Sequence, residues 1–284
     1  MRANDLEFGL IEAGSGPLAL CLHGFPDCAY TWRLLLPALA DAGFHAVAPY
    51  LRGYAPSAIP ADRAYHLGAL IADASALHDV LGGNHDAVLI GHDWGAEVAY
   101  GAAALAPDKW RRLVTLAVPP AALDPVLFSD FEQLRRFWYM FMFRDPAGFA
   151  EALVAADGMS FVDWLWREWS PGFDAGEHLA LVKESLADPA NLAAAIGYYP
   201  ANGPVAQATA GYAREQAAVG QQPPQPTLYL HGANDGCVRA DLARAADAAL
   251  APGSRVLVIE EAGHFLHLER PGEVGELIVG WLTS

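Results

Sequence analysis

A chain of 284 residues is long enough for one large mixed domain with an inserted lobe. Its formal net charge of −16, with no basic stripe to offset it, excludes nucleic acid and anionic membranes as partners. No apolar run reaches the ~18 residues needed to span a bilayer. The start, Met1-Arg2-Ala3-Asn4-Asp5-Leu6-Glu7, is charged where an export signal needs apolar residues, so a cytoplasmic protein is expected.

In chain order, apolar runs at Leu18 to Leu22, His45 to Ala48, Ala87 to Ile90, Leu113 to Val118, Thr227 to Leu230 and Val256 to Ile259 read as buried strands. Helical patterns lie between several of them, at Tyr30 to Ala42, His66 to Leu81, Ala96 to Ala106, Ala240 to Leu250 and Glu273 to Trp281. This alternation predicts an α/β fold, with a mostly parallel central sheet and helices on both faces. It breaks between about Pro119 and Pro226, where aromatics and helix formers dominate. The expected division is therefore a first core part at 1–119, a helical cap and return linker at 120–225, and a second core part at 226–284. Aromatics such as those of Phe137 to Phe143 and Phe161 to Trp166 pack the cap, and some of them roof a pocket.

The strongest local signal is Gly91-His92-Asp93-Trp94-Gly95, between the strand ending at Ile90 and the helix from Ala96. It has the G-x-Nu-x-G form of a nucleophile elbow, with Asp93 in the slot that serine usually fills. Helix capping is the plain alternative for Asp93. A carboxylate that attacks saturated carbon leaves an ester, and a base must activate water to break it. His264, in Gly263-His264-Phe265 after the last strand, is the candidate; His267 reads as structural. Asp235, in Asn234-Asp235-Gly236, follows the strand from Thr227 and is the candidate orienting acid. Asn-Asp-Gly is also a good turn, and Asp124 is the runner-up. His23-Gly24-Phe25-Pro26 follows the first strand, and the backbone N–H groups of Phe25 and Trp94 are the expected oxyanion donors.

These stretches, with Arg52-Gly53-Tyr54, resemble the epoxide hydrolases of the α/β-hydrolase fold over nearly the full chain. Departures are Ala55, where that family often has glycine, and Pro200, where it commonly has a basic residue. The resemblance implies a helical cap and two cap tyrosines that act as acid and bind substrate. It places them on Tyr139 and on Tyr199, with Tyr198 as the alternative to the latter. Phe25 and Trp94 would line the same substrate site. It implies opening of an epoxide to a diol through an ester on Asp93. Haloalkane dehalogenases use the same chemistry and also follow their nucleophile with tryptophan, so Trp94 does not separate the two. Fluoroacetate dehalogenases carry arginines beside the elbow, where this chain has Trp94 and Glu97. A non-catalytic binding protein on the same fold is the reading from another class.

No cofactor and no metal are expected. Cys21, Cys28 and Cys237 lack Cys-x-x-Cys spacing, and His78 and His85 read as isolated surface residues. The expected partner is a small apolar molecule. The acidity serves solubility or the steering of cationic substrates, and the oligomeric state is not legible.

Overall fold

The computed structural model describes every residue except 205, 207 and 208. A short hairpin, Arg2–Ala3 (β1) with Leu6–Glu7 (β2), precedes the main sheet. That sheet comprises Leu10–Gly14 (β3), Leu18–Leu22 (β4), His45–Pro49 (β5), Val88–His92 (β6), Arg112–Leu116 (β7), Thr227–Gly232 (β8) and Arg255–Ile259 (β9), in the order β3-β5-β4-β6-β7-β8-β9. Only β3 runs antiparallel, pairing Ile11 with Ala48. Strands β4, β6 and β8 are buried at every residue, because helices cover both faces.

The six strands expected from apolar runs are all present, with ends shifted by a residue or two. Strand β3 escaped sequence reading because it is a short, half-exposed edge strand carrying Glu12. Two expected helices are partly tighter coils. Ala29–Leu34 is a 3₁₀ stretch leading into Leu35–Asp41 (α1), and near the end of the chain only Ala240–Ala243 is α-helical before 3₁₀ residues Arg244–Ala249. Leu67–Val80 (α2) begins on His66, whose side chain accepts from the Ala69 N–H. Trp94–Leu105 (α3) follows β6 directly, and Pro271–Thr283 closes the chain.

Between β7 and β8 the described residues form helices and no strand: Asp124–Leu127 (α4), Phe131–Arg136 (α5), Trp138–Phe143 (α6), Phe149–Trp169 (α7), Gly176–Ser185 (α8), Pro189–Ala201 (α9) and Ala213–Gln216 (α10). Helix α7 breaks at Ala156–Met159, where Asp157, Gly158 and Met159 take left-handed backbone angles. This helical insertion is fastened to the sheet layer by hydrogen bonds to loop carbonyls. Trp166 Nε1 donates to Pro26 O at 2.8 Å, Asn191 Nδ2 to Gly53 O at 2.6 Å, and the Tyr198 hydroxyl to Arg52 O at 2.8 Å. No helix among the described residues is long and apolar enough to cross a membrane. The loops after β4, β6, β8 and β9 leave the carboxyl ends of the strands together, where ligands bind in open α/β sheets.

His78 is a correction to the sequence reading. It is buried, its ring edge-on to Trp110 with centroids 4.9 Å apart, whereas His85 is exposed. One buried ion pair holds the loop under the insertion. Arg52 grips Asp73 of α2 with two hydrogen bonds of 2.6 Å and donates to Ala64 O at 2.7 Å. Replacing Arg52 by leucine strands the Asp73 carboxylate away from water and should cost about 3–5 kcal/mol. Urea unfolding of Arg52→Leu beside the unaltered protein measures this, and an unchanged midpoint would contradict it.

Candidate active site

At the end of β6 the chain turns into α3 within one residue, and Asp93 occupies that turn with φ 52° and ψ −120°. Such a conformation costs on the order of 1–3 kcal/mol for a residue with a side chain. It survives because the turn is packed on all sides. A Cβ on Gly95 would collide with the Leu22 carbonyl, and one on Gly24 would collide with the Asp93 carboxylate. With both positions bare, the loop after β4 closes on the turn, and the Phe25 N–H donates to Asp93 Oδ1 at 2.8 Å. Trp94 heads α3, so no preceding helical carbonyl takes its N–H.

His264 lies on the other side of Asp93. Its Nε2 is 3.7 Å from Asp93 Oδ2, and its Nδ1–H donates to Asp235 Oδ2 at 3.0 Å. Asp235 is held in turn by the N–H groups of Cys237 and Val238, at 2.7 and 2.9 Å from its Oδ1. Burial disfavours the Asp235 carboxylate, but His264 and these donors outweigh it and lower its pKa. Burial likewise opposes a charged His264, yet Asp235 and then Asp93 lift it to about 10. The structure thus brings Asp93, Asp235 and His264 together. Asp124 stands apart, at the start of α4 in the wall of the pocket.

Two further contacts were not foreseen. His92, next to Asp93, uses Nε2–H to hold the His264 carbonyl at 3.0 Å, and burial lowers its pKa to about 4, so it stays neutral. The end of α7 reaches the same loop, where the His264 N–H donates to Trp169 O at 2.9 Å. The sequence signal for His92 was its place inside the elbow motif; Trp169 had none. His267 donates to or accepts from Thr31 Oγ1 at 2.6 Å and serves packing. Behind the elbow, buried Asp27, His92 and His267 present ligand-type atoms within 4.8 Å of one another, as do Asp27, Cys28 and His178. Asp27 already accepts from His178 Nε2 at 2.7 Å.

In front of Asp93 lies a cavity of about 90 Å³ lined by Trp94, Tyr139 and Tyr199, with Leu127, Phe137 and Val238 beyond. Tyr139 and Tyr199 meet edge-on there, with ring centroids 5.7 Å apart. Burial raises both phenols far above their usual range, so they are neutral donors. The Tyr139 hydroxyl touches Cys237 Sγ at 3.6 Å. Tyr198 faces the other way, toward Arg52, which separates it from Tyr199. Cys237 also lines the cavity, and burial pushes its thiol pKa up, which makes it a poor nucleophile. The arrangement can deliver a carboxylate to one side of a small apolar molecule and phenol protons to the other.

Because Asp93 is one of two carboxylates that lift His264, Asp93→Asn should lower the His264 pKa below about 10 while burial continues to oppose the charge. An imidazole ¹⁵N NMR titration of the two proteins checks this; coincident curves would mean that His264 does not sense Asp93.

Comparison with known proteins places this geometry in a family. A profile described as the alpha/beta hydrolase fold matches residues 17–271. The chain is 31% identical to epoxide hydrolase A of Mycobacterium tuberculosis over 99% of its own length and 95% of that protein. It is 30% identical to an epoxide hydrolase of Caballeronia sordidicola over 100% of its length and 93% of that protein. Among solved structures, an epoxide hydrolase from an endophytic Streptomyces superposes with a TM-score of 0.78 at 29% identity, covering 98% of this chain and 94% of that one. The chain belongs to the α/β-hydrolase fold family and closely resembles epoxide hydrolases over its full length.

Proposed function

We propose that the protein hydrolyses epoxides to vicinal diols through an ester on Asp93. One observation carries the reading: a carboxylate beside His264 and two neutral tyrosines line the same apolar cavity. An Asp93 oxygen attacks a ring carbon and the ring C–O bond breaks. Tyr139 or Tyr199 gives its proton to the departing alkoxide, and the other donates a hydrogen bond to it. Esterification removes the charge of Asp93, one of the groups that keep His264 protonated, and the imidazolium proton returns to the phenolate.

Neutral His264, oriented by Asp235, then takes a proton from water, and hydroxide adds to the Asp93 ester carbon. The N–H groups of Phe25 and Trp94 stabilise the oxyanion, and its collapse releases the diol, leaving Asp93 ionised and His264 protonated as at the start. In this reading the nucleophile, base and acid belong to the core parts, 1–119 and 226–284, and the phenols to the cap, 120–225. A second reading, haloalkane hydrolysis, draws on Trp94, whose indole N–H has no hydrogen-bond partner among the described residues and borders the cavity. The tyrosine pair favours the epoxide.

In His264→Gln, rapid mixing with styrene oxide should leave the substrate mass on the Asp93 peptide, because the ester forms and is not cleaved. Absence of any adduct, together with activity surviving in Asp93→Ala, would rule out the covalent route. Tyr139→Phe and Tyr199→Phe each remove one donor and should slow alkylation about a hundredfold, a loss of ~3 kcal/mol in the transition state. Stopped-flow alkylation rates test this. Wild-type rates in both, or release of halide from haloalkanes without epoxide turnover, would hand the assignment to the second reading.

A further inference from the structure

Two acidic side chains in the pocket wall have no part in the proposed steps. Glu97 lies in the first turn of α3, where its N–H donates to Asp93 O at 3.4 Å. Asp124 opens α4 on the facing segment. Both line the Asp93 cavity and also an adjoining outer chamber of about 540 Å³, so they stand where the two meet. Neither makes a side-chain hydrogen bond or ion pair among the described residues. Ion pairs there engage other carboxylates, such as Asp73, Asp79, Asp130 and Asp163.

Burial, then Asp124 and Asp93, push Glu97 up to about 8, and burial pushes Asp124 to about 6. Both side chains are half-buried, and a cation seated beside them would favour their ionised forms. The outer chamber holds one basic side chain among its described lining residues, Arg144, and its Nε donates to Tyr199 O at 3.2 Å. His66, also in that lining, is kept neutral by burial.

The rest of the wall points to the same kind of ligand. Trp94 and Phe128 border both spaces, and Phe137, Tyr139 and Tyr199 border the inner one. Aromatic faces attract alkylammonium groups electrostatically and tolerate their bulk, and a nearby carboxylate adds to that attraction. The overall charge of −16 also raises the local concentration of cations around the protein.

We infer that the pocket selects epoxides carrying a cationic alkylammonium arm, seated among Trp94 and Phe128 and paired with Glu97 and Asp124. This rests on the epoxide reading of Asp93 and names its substrate class. The arm needs only a few atoms, since Glu97 and Asp93 line the same cavity.

The test compares three epoxides on one enzyme preparation: glycidyltrimethylammonium, its uncharged carbon isostere 1,2-epoxy-4,4-dimethylpentane, and 3,4-epoxybutanoate. The expected kcat/KM order is cation, neutral, anion, with the cation favoured over its isostere by roughly tenfold or more. In Glu97→Gln and Asp124→Asn that ratio should fall toward one, most in the double variant. Because both substrates meet the same protein, a loss of folded fraction cancels from the ratio. Turnover of the neutral isostere with no preference for the cation, or a preference that survives the double variant, overturns the assignment and leaves the epoxide reading standing. Turnover of none of the three overturns both.

Discussion

Helix α3 meets the carboxyl ends of β4 and β6 at a distance that admits no side chain at Gly95 or Gly24, and the site depends on that approach. It forces Asp93 to φ 52° and brings the Phe25 N–H to 2.8 Å from its carboxylate. It also sets the adjacent His92 under the His264 loop, where it holds that loop's carbonyl. One tight turn therefore positions a carboxylate, a donor facing it and, through His92, the imidazole beside it. Such a turn stores strain, and the buried strands around it oppose its relaxation.

Charge is the second organising element. His264 is fully buried, yet two carboxylates hold it protonated, and an ester on Asp93 would cancel one of them. The same burial that keeps Tyr139 and Tyr199 neutral keeps His92 neutral. Burial alone thus sets several protonation states, and the two aspartates set the exception. Asp73 is paired with Arg52 inside the fold, whereas Glu97 and Asp124, half-buried in the pocket wall, have no such partner among the described residues.

Legibility differed by element for physical reasons. Strands β4, β6, β7 and β8 were readable because both faces are covered, so each carries a run of apolar residues. Strand β3 was not, since an edge strand with one wet face needs no such run. The helix read from Tyr30 to Ala42 was correct in place, but its first part is 3₁₀, because periodicity hardly separates a 3₁₀ turn from an α turn over six residues. His78 was misjudged because an isolated histidine gives no sign of the Trp110 ring that buries it.

The sequence by itself determined the six inner strands and the place of Asp93, because a strand, a glycine-flanked turn and a helix are consecutive in the chain, and it offered His264 and Asp235 as its partners. It left Asp124 as a rival to Asp235 and Tyr198 as a rival to Tyr199. Only the tertiary structure decided those two geometries. His264 and Asp235 are 29 residues apart and meet through the pairing of β8 with β9. Tyr198 and Tyr199 are neighbours on α9 whose directions diverge by the helical rotation, so packing sends one hydroxyl to Arg52 and leaves the other beside the cavity. Contacts across such separations arise from packing, and no local pattern of residues encodes them.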